Sequence, residues 1–262
     1  MLPTNTTLQL ATEDDASTLA SITTAAFSTS DAAYPLIWGS APEGTHDTMC
    51  IIGLFSPVQK ADRITYKAVD EDTQTVVGFA TWSLPKVLPK SEDGGSKKEE
   101  GGLPPIPGVN VDLWVDKVRG TRVYSARDVD LEKDMDLTFC FVHPQYQRQG
   151  IASSLLGVGS READKRKARF WCTSTPQAVS TYEKNGWKVV ETHDVDLGKY
   201  GGEVDLIPLT DDLLDLLLGS TEILPNNADR ETSTVQELDP DKVEGYKAEG
   251  YQEGISMVMN GR

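Results

Sequence analysis

No apolar run in this chain of 262 residues approaches the roughly 20 residues that a membrane-spanning helix requires. The first residues, Met1-Leu2-Pro3-Thr4-Asn5, do not follow a basic-then-apolar order, so a secretory leader is not expected and a cytoplasmic location is. Cysteine is scarce: Cys50, Cys140 and Cys172 are odd in number, and the last two lie in apolar, strand-like runs. They read as reduced, buried thiols, not as a disulfide framework. His46, His143 and His193 do not combine with cysteine at metal-ligand spacing, so no metal is expected. Basic residues are outnumbered, 25 against 41 acidic, which disfavours a nucleic-acid groove built on clustered Lys and Arg. The one dense basic run, Arg161 to Arg169, reads as a solvated helix end.

The acid excess is local. Between Glu203 and Glu253 stand 14 acidic and 3 basic residues, which supply −11 of the net −16. Residues 207–250 are therefore expected to form an acidic insertion ahead of a last strand at 254–259. A second insertion is expected at 86–110, where Gly, Ser, Lys, Glu and Pro replace core formers. The remainder is long enough for one domain with a substantial core.

Periodicity supplies the elements. Thr7–Ala11 reads as a strand, and Thr12-Glu13-Asp14-Asp15 offers a cap and first-turn acids for a helix burying Ala16, Leu19, Ile22, Ala26 and Phe27. A second helix is expected over His46–Phe55, stopped near Pro57. Arg63–Val69 and Val76–Ser83 flank a polar turn and predict a hairpin. Val111–Val118 reads as a helix, and Met135–Val142 as a central strand with two apolar faces. A helix from Gly150, a strand at Ala168–Cys172, a helix capped by Thr175 and ended at Asn185-Gly186, and a strand at Trp187–Glu191 complete the order. That order predicts a mixed α/β fold around one sheet.

Two motifs carry chemistry. In Phe141-Val142-His143-Pro144-Gln145-Tyr146-Gln147-Arg148-Gln149-Gly150-Ile151-Ala152 a strand runs through a turn into a helix that opens at glycine. Gln147, Gly150 and Ala152 make the pattern Gln-x-x-Gly-x-Ala. Backbone N–H groups of the turn and helix start would converge there on an anion, and small residues would let it approach. Further on, Ala178, Tyr182, Gly186 and Trp187 form Ala-x-x-x-Tyr-x-x-x-Gly-aromatic.

In this order, with a helix and a strand between them, the two motifs resemble those of the GNAT superfamily of N-acetyltransferases. The resemblance runs clearly from Asp136 to Glu191 and loosely from Leu8 to Ser83. It implies a mostly antiparallel mixed sheet flanked by helices, here with long insertions, and acetyl-CoA as co-substrate. Backbone groups of Phe141 and Val142 would hold the pantetheine arm. Gln147, Arg148, Gln149, Gly150, Ile151, Ala152 and Ser153 would surround the pyrophosphate, with Thr175 and Ala178 completing the coenzyme site. Tyr182 would protonate the leaving thiolate. Asp136, 11 residues before Gln147 as is the glutamate of the histone-acetyltransferase branch, is the leading base, with Glu132 and Asp134 as alternatives. Aspartate is shorter than glutamate and favours a water relay. Tyr34, Trp38 and Trp114 are candidates for an aromatic wall around an amine acceptor. His143 reads as a turn residue and Cys172 as a buried thiol. The expected protein is an N-acetyltransferase, monomer or homodimer, with no nucleic-acid or membrane partner. The alternatives are a catalytically silent acyl-CoA-binding regulator and a protein lysine or N-terminal acetyltransferase.

Overall fold

The computed structural model describes residues 5–86, 106–201 and 256–261; for 120–122 and 256–261 only the backbone is described. The segment expected at 207–250, and residues 87–105 of that expected at 86–110, lie outside the described residues. In chain order the elements are β1 (Thr6–Leu10), α1 (Ala16–Ser30), α2 (Tyr34–Trp38), α3 (Thr45–Leu54), β2 (Arg63–Asp70), β3 (Thr75–Ser83) and α4 (Val111–Asp128). They continue with β4 (Met135–Val142), α5 (Ile151–Arg166), β5 (Phe170–Ser174), α6 (Val179–Lys184), β6 (Lys188–His193) and β7 (Ser256–Gly261).

The sheet has seven strands in the order β1-β2-β3-β4-β5-β7-β6. Every neighbouring pair is antiparallel except β4 and β5. That pair is also brief. Its register runs Met135↔Phe170, Asp136↔Trp171, Leu137↔Cys172 and then stops. Beyond Leu137 the two strands part, and among the described residues the remaining length of β4 pairs with β3 alone.

Helices cover both faces. Leu19, Ile22, Ile37, Trp38, Met49, Leu54 and Leu113, from α1 to α4, bury against Phe79 on one side. Leu155, Leu156, Ala163 and Tyr182, from α5 and α6, bury against Ala80, Trp82, Met135 and Leu137 on the other. The close fit of α5 depends on Gly159, where a Cβ would stand 1.9 Å from the Trp82 ring.

A β-bulge decides which face β4 serves. Trp82 pairs with Leu137 and Thr81 with Phe139, so Thr138 is the extra residue. Met135 and Leu137 point to the α5 side, whereas after the bulge Phe139 and Phe141 turn to the α1 side. Strand alternation places Asp136 opposite Met135 and Leu137.

Two boundaries differ from expectation. The helix predicted over Val111–Val118 continues to Asp128, across a polar stretch with few apolar residues. Thr175 precedes a short 3-10 turn, Pro176–Ala178, and its side chain makes no capping bond; α6 begins at Val179.

Candidate active site

The parting of β4 from β5 opens a cleft of about 260 Å³ through the sheet. Its walls are Leu137 to Phe141 on one side and Thr173 to Ala178 on the other. Tyr182 reaches it from the α6 face, and Phe27, Asp31 and Lys117 from the α1–α4 face. A second cavity of about 160 Å³ lies wholly on the latter face, among Phe27, Tyr34, Trp38, His46, Trp114 and Phe139. Phe27, Asp31, Lys117, Val118 and Phe139 line both, so the two spaces meet there.

Beyond β4 comes the turn. His143 N–H donates to the Val77 carbonyl at 2.9 Å, and Pro144–Tyr146 forms a 3-10 turn. The Gln147 amide donates to the Val142 carbonyl at 3.1 Å, tying the loop back to the strand. That bond occupies one of the groups expected to meet pantetheine. Arg148 (φ 63°) and Gly150 (φ 87°) are both left-handed. Such a conformation costs a non-glycine residue about 1 kcal/mol, so its presence at Arg148 marks a loop held in a demanding shape. Ile151, Ala152 and Ser153 form the first turn of α5, whose N–H groups have no partner within the helix. The Ser153 hydroxyl accepts from the Asn185 side chain at 3.0 Å, which joins the loop to the end of α6. Gln149 reaches the Gln145 carbonyl at 3.4 Å, and its amide is spent within the loop.

Tyr182 is buried, with its ring 5.5 Å from that of Trp187. Burial holds its phenol well above the usual value, with the neighbouring Cys172 and Cys140 adding to the effect. It therefore stays protonated at every physiological pH. Cys172 is buried and its thiol is likewise pushed well above the usual value by burial. Burial also lifts the Cys140 thiol to about 12. All three cysteines are free, and both strand thiols rest in the unreactive neutral form.

Asp136 stands one residue before the point where the strands part. Burial raises its carboxyl from 3.8 to about 7, opposed only by a hydrogen bond with Thr138. It is not among the residues that line either cavity. The alternatives for the base fare differently. Asp134 accepts from Arg169 Nε and Nη2 at 3.0 and 2.7 Å, from Trp171 Nε1 at 3.1 Å and from the Asp130 N–H at 2.9 Å. Its lone pairs are committed to joining the loop before β4 to the start of β5. Glu132 is exposed on that loop.

The structure brings Tyr34, Trp38 and Trp114 together, with Trp38 4.7 Å from Trp114 between ring centroids. Sequence reasoning missed the fourth member of this group. His46 sits 4.6 Å from Trp38 and 5.2 Å from Tyr34, and its Nδ1 meets Thr24 Oγ1 at 2.7 Å. Burial lowers its pKa to about 4, leaving a neutral ring. Also missed was the ion pair of Lys117 with Asp31, in which the ammonium lies 5.3 Å from the Phe27 ring centroid. The helical offset of Lys117 from Trp114 was the available signal for its facing the same way. His143 is a turn residue as read, its Nδ1 accepting from the Gln145 N–H at 3.4 Å. Among the described residues no group of His, Cys, Asp and Glu has the geometry to hold a metal ion, and no helix is long and apolar enough to cross a membrane.

A mixed sheet that parts between its two parallel strands, with a glycine-started helix after the first of them, defines an acyltransferase fold of the GNAT type. Residues 124–198, which contain both sequence motifs, match the family model described as an acetyltransferase (GNAT) domain. No curated protein matches. Solved structures similar to this chain include a mosquito arylalkylamine N-acetyltransferase like 5b, at 16% identity and TM-score 0.46, covering 78% of this chain and 93% of that one. Another is a histone acetyltransferase HPA2 and related acetyltransferase from Corynebacterium glutamicum, at 15% identity and TM-score 0.45, covering 79% and 93%. A third is the PaiA N-acetyltransferase from Thermoplasma acidophilum in complex with coenzyme A, at 14% identity and TM-score 0.41, covering 72% and 92%.

Proposed function

We propose that this protein is an acetyl-CoA-dependent N-acetyltransferase acting on a primary amine, of a small molecule or a peptide, by direct attack in a ternary complex. One observation carries the reading: the cleft between β4 and β5 passes through the sheet, with Tyr182 on one side and an aromatic cavity on the other. A thioester lying in that cleft meets an amine from one face and a proton donor from the other.

The residues fit the coenzyme. The open edge of β4 offers unpaired backbone groups at Phe139 to Phe141, to which a pantetheine arm adds as a strand would, while Thr175 and Ala178 wall the other side. The left-handed Arg148 and Gly150, followed by the first turn of α5, aim main-chain N–H groups at one place, as a pyrophosphate requires. Gln147 and Ser153 brace that loop through Val142 and Asn185. When bound, acetyl-CoA supplies the activated acyl group.

In the reaction the amine nitrogen bonds to the thioester carbon as the C–S bond breaks. Tyr182 donates a hydrogen bond to the sulfur as negative charge collects there and passes its proton across once the C–S bond has broken, while the nitrogen, now part of the amide, gives up its second proton and the phenol is restored through water. The amine must shed a proton before or during attack. Asp136, near 7 and outside the cavities, takes it through water. Positioning supplies much of the rate. The setting we assign is a cytoplasmic monomer or homodimer, one domain over 1–262 with insertions at 86–110 and 207–250, and no nucleic-acid or membrane partner.

Acetyl-CoA turnover against an amine panel tests the reading. Tyr182→Phe is expected to lower kcat about 100-fold while leaving the KM for acetyl-CoA near its original value. Full kcat in that variant removes Tyr182 from the mechanism. Tight coenzyme binding with no amine acetylated favours instead a silent acyl-CoA-binding regulator.

A further inference from the structure

The cavity among Phe27, Tyr34, Trp38, His46, Trp114 and Phe139 has a size and a charge pattern that restrict its occupant. At about 160 Å³ it is close to the ~150 Å³ apolar cavity that admits benzene. One six-membered ring fits, and a fused pair does not. The rings facing the space are already packed edge to face and tilted against one another, with centroids 4.6 to 5.2 Å apart at Trp38–His46, Trp38–Trp114 and Tyr34–His46. An aromatic occupant adds one more member to that arrangement.

The charges decide the rest. Among the described residues, Asp31 and Lys117 are the only fully charged ones lining the cavity or the cleft it meets, and each is the other's partner. His46 is neutral, its Nδ1 engaged with Thr24. Among the described residues, neither the cavity nor the cleft therefore offers a free cation for a carboxylate or a free anion for a second ammonium. Such a charge, drawn from water into this space, would go uncompensated. The exit toward the β4–β5 cleft runs between Phe27, Asp31, Lys117 and Phe139, since these residues line both spaces. A short arm carrying the amine passes there, beside the Asp31 carboxylate and the face of Phe27.

Resting on the acetyl-transfer reading above, we infer that the acceptor is a small arylalkylamine: one uncharged aromatic ring in the Tyr34–Trp38–Trp114 cavity, a short alkyl arm through the exit, and a primary amine in the cleft. Amino acids and polyamines bring a second charge that this lining leaves uncompensated, and a protein lysine brings no ring to fill the aromatic cavity.

The test compares 2-phenylethylamine with phenylalanine, spermidine and a lysine-containing peptide, by release of the coenzyme A thiol. Phenylalanine carries the same ring and arm and adds only a carboxylate. The expected result is a kcat/KM for 2-phenylethylamine at least about 100-fold above each of the others, the cost of an uncompensated charge. Trp114→Ala is expected to raise the KM for 2-phenylethylamine and to admit the two-ring tryptamine, with the KM for acetyl-CoA unchanged. In parallel, tryptophan fluorescence of the wild-type protein is followed while 2-phenylethylamine is added, with Trp114→Phe as the control for the signal. A saturable change lost in that control supports the cavity assignment whether or not turnover is seen. Acetylation of spermidine or of the peptide at a comparable rate overturns the inference and leaves acetyl transfer standing. Neither turnover nor a fluorescence change with 2-phenylethylamine overturns it outright. Coenzyme binding and the fluorescence change without turnover sink acetyl transfer alone.

Discussion

Replacing Asp136 by asparagine is expected to make the protein more stable at neutral pH and less active. Burial lifts the Asp136 carboxyl from 3.8 to about 7, so keeping it ionised inside the fold costs about 4 kcal/mol. In the unfolded chain the group ionises near 3.8; in the folded chain it holds its proton until about 7. Between those values the folded state binds the extra proton, and its stability falls as pH rises. The stability contributed by the protonated form is complete below about pH 4 and gone above about pH 7. Asparagine does not titrate. Urea denaturation should therefore find variant and wild type similarly affected by pH changes below about 4. Their difference should widen steadily from there, approaching about 4 kcal/mol in the variant's favour by pH 8. The kinetic counterpart is a rising limb of kcat/KM with a midpoint near 7 that disappears in the variant. A stability difference of the same size at pH 4.5 and 7.5, or a variant weaker at pH 7.5, would refute the reasoning.

Two structural substitutions should be costly for separate reasons. Gly159→Ala places a Cβ 1.9 Å from the Trp82 ring, and calorimetry should show a loss of about 1–3 kcal/mol as α5 is forced off the sheet. Asp134→Ala leaves Trp171 Nε1 without its partner and Arg169 without its bidentate acceptor; denaturant midpoints should report about 2 kcal/mol, mostly from the buried indole. Retained stability in Asp134→Ala would mean that the strands meet correctly without this bridge.

Features that depend on local order were legible in the sequence. The glycine before α5, the Gln-x-x-Gly-x-Ala turn and the spacing of Ala178, Tyr182 and Trp187 are short-range patterns, and they located the left-handed turn into α5 and the buried tyrosine. The β2–β3 hairpin followed from two β-rich runs around a polar turn. What stayed hidden depends on partners far along the chain. Asp31 and Lys117 are 86 residues apart, and nothing near either names the other. Asp134 stood beside Glu132 as an alternative to Asp136, and nothing near it in sequence shows that Arg169 and Trp171 use its oxygens. The bulge at Thr138, which turns Phe139 and Phe141 toward the aromatic side, is set by pairing with β3 and leaves no mark on the composition of β4. His46 sits at the start of a helix, where exposure is the ordinary expectation; its burial follows from how α3 packs on α1 and α2.

The position of β7 has a consequence for how the molecule is made. β5 and β6 are successive strands in sequence, yet they are not neighbours: β5 is held by β4, and β6 reaches the sheet through Ser256–Gly261. A ribosome delivers β6 long before the six residues that attach it. Through that interval β5 presents a bare edge beside the cleft, open to any stray strand. The loop closed by β7 is long, and contacts so distant in sequence form late and slowly. A premature stop shortly before Ser256 would thus remove β7 and leave β6 without its neighbour in the sheet. Such a product is expected to be caught by chaperones or to aggregate.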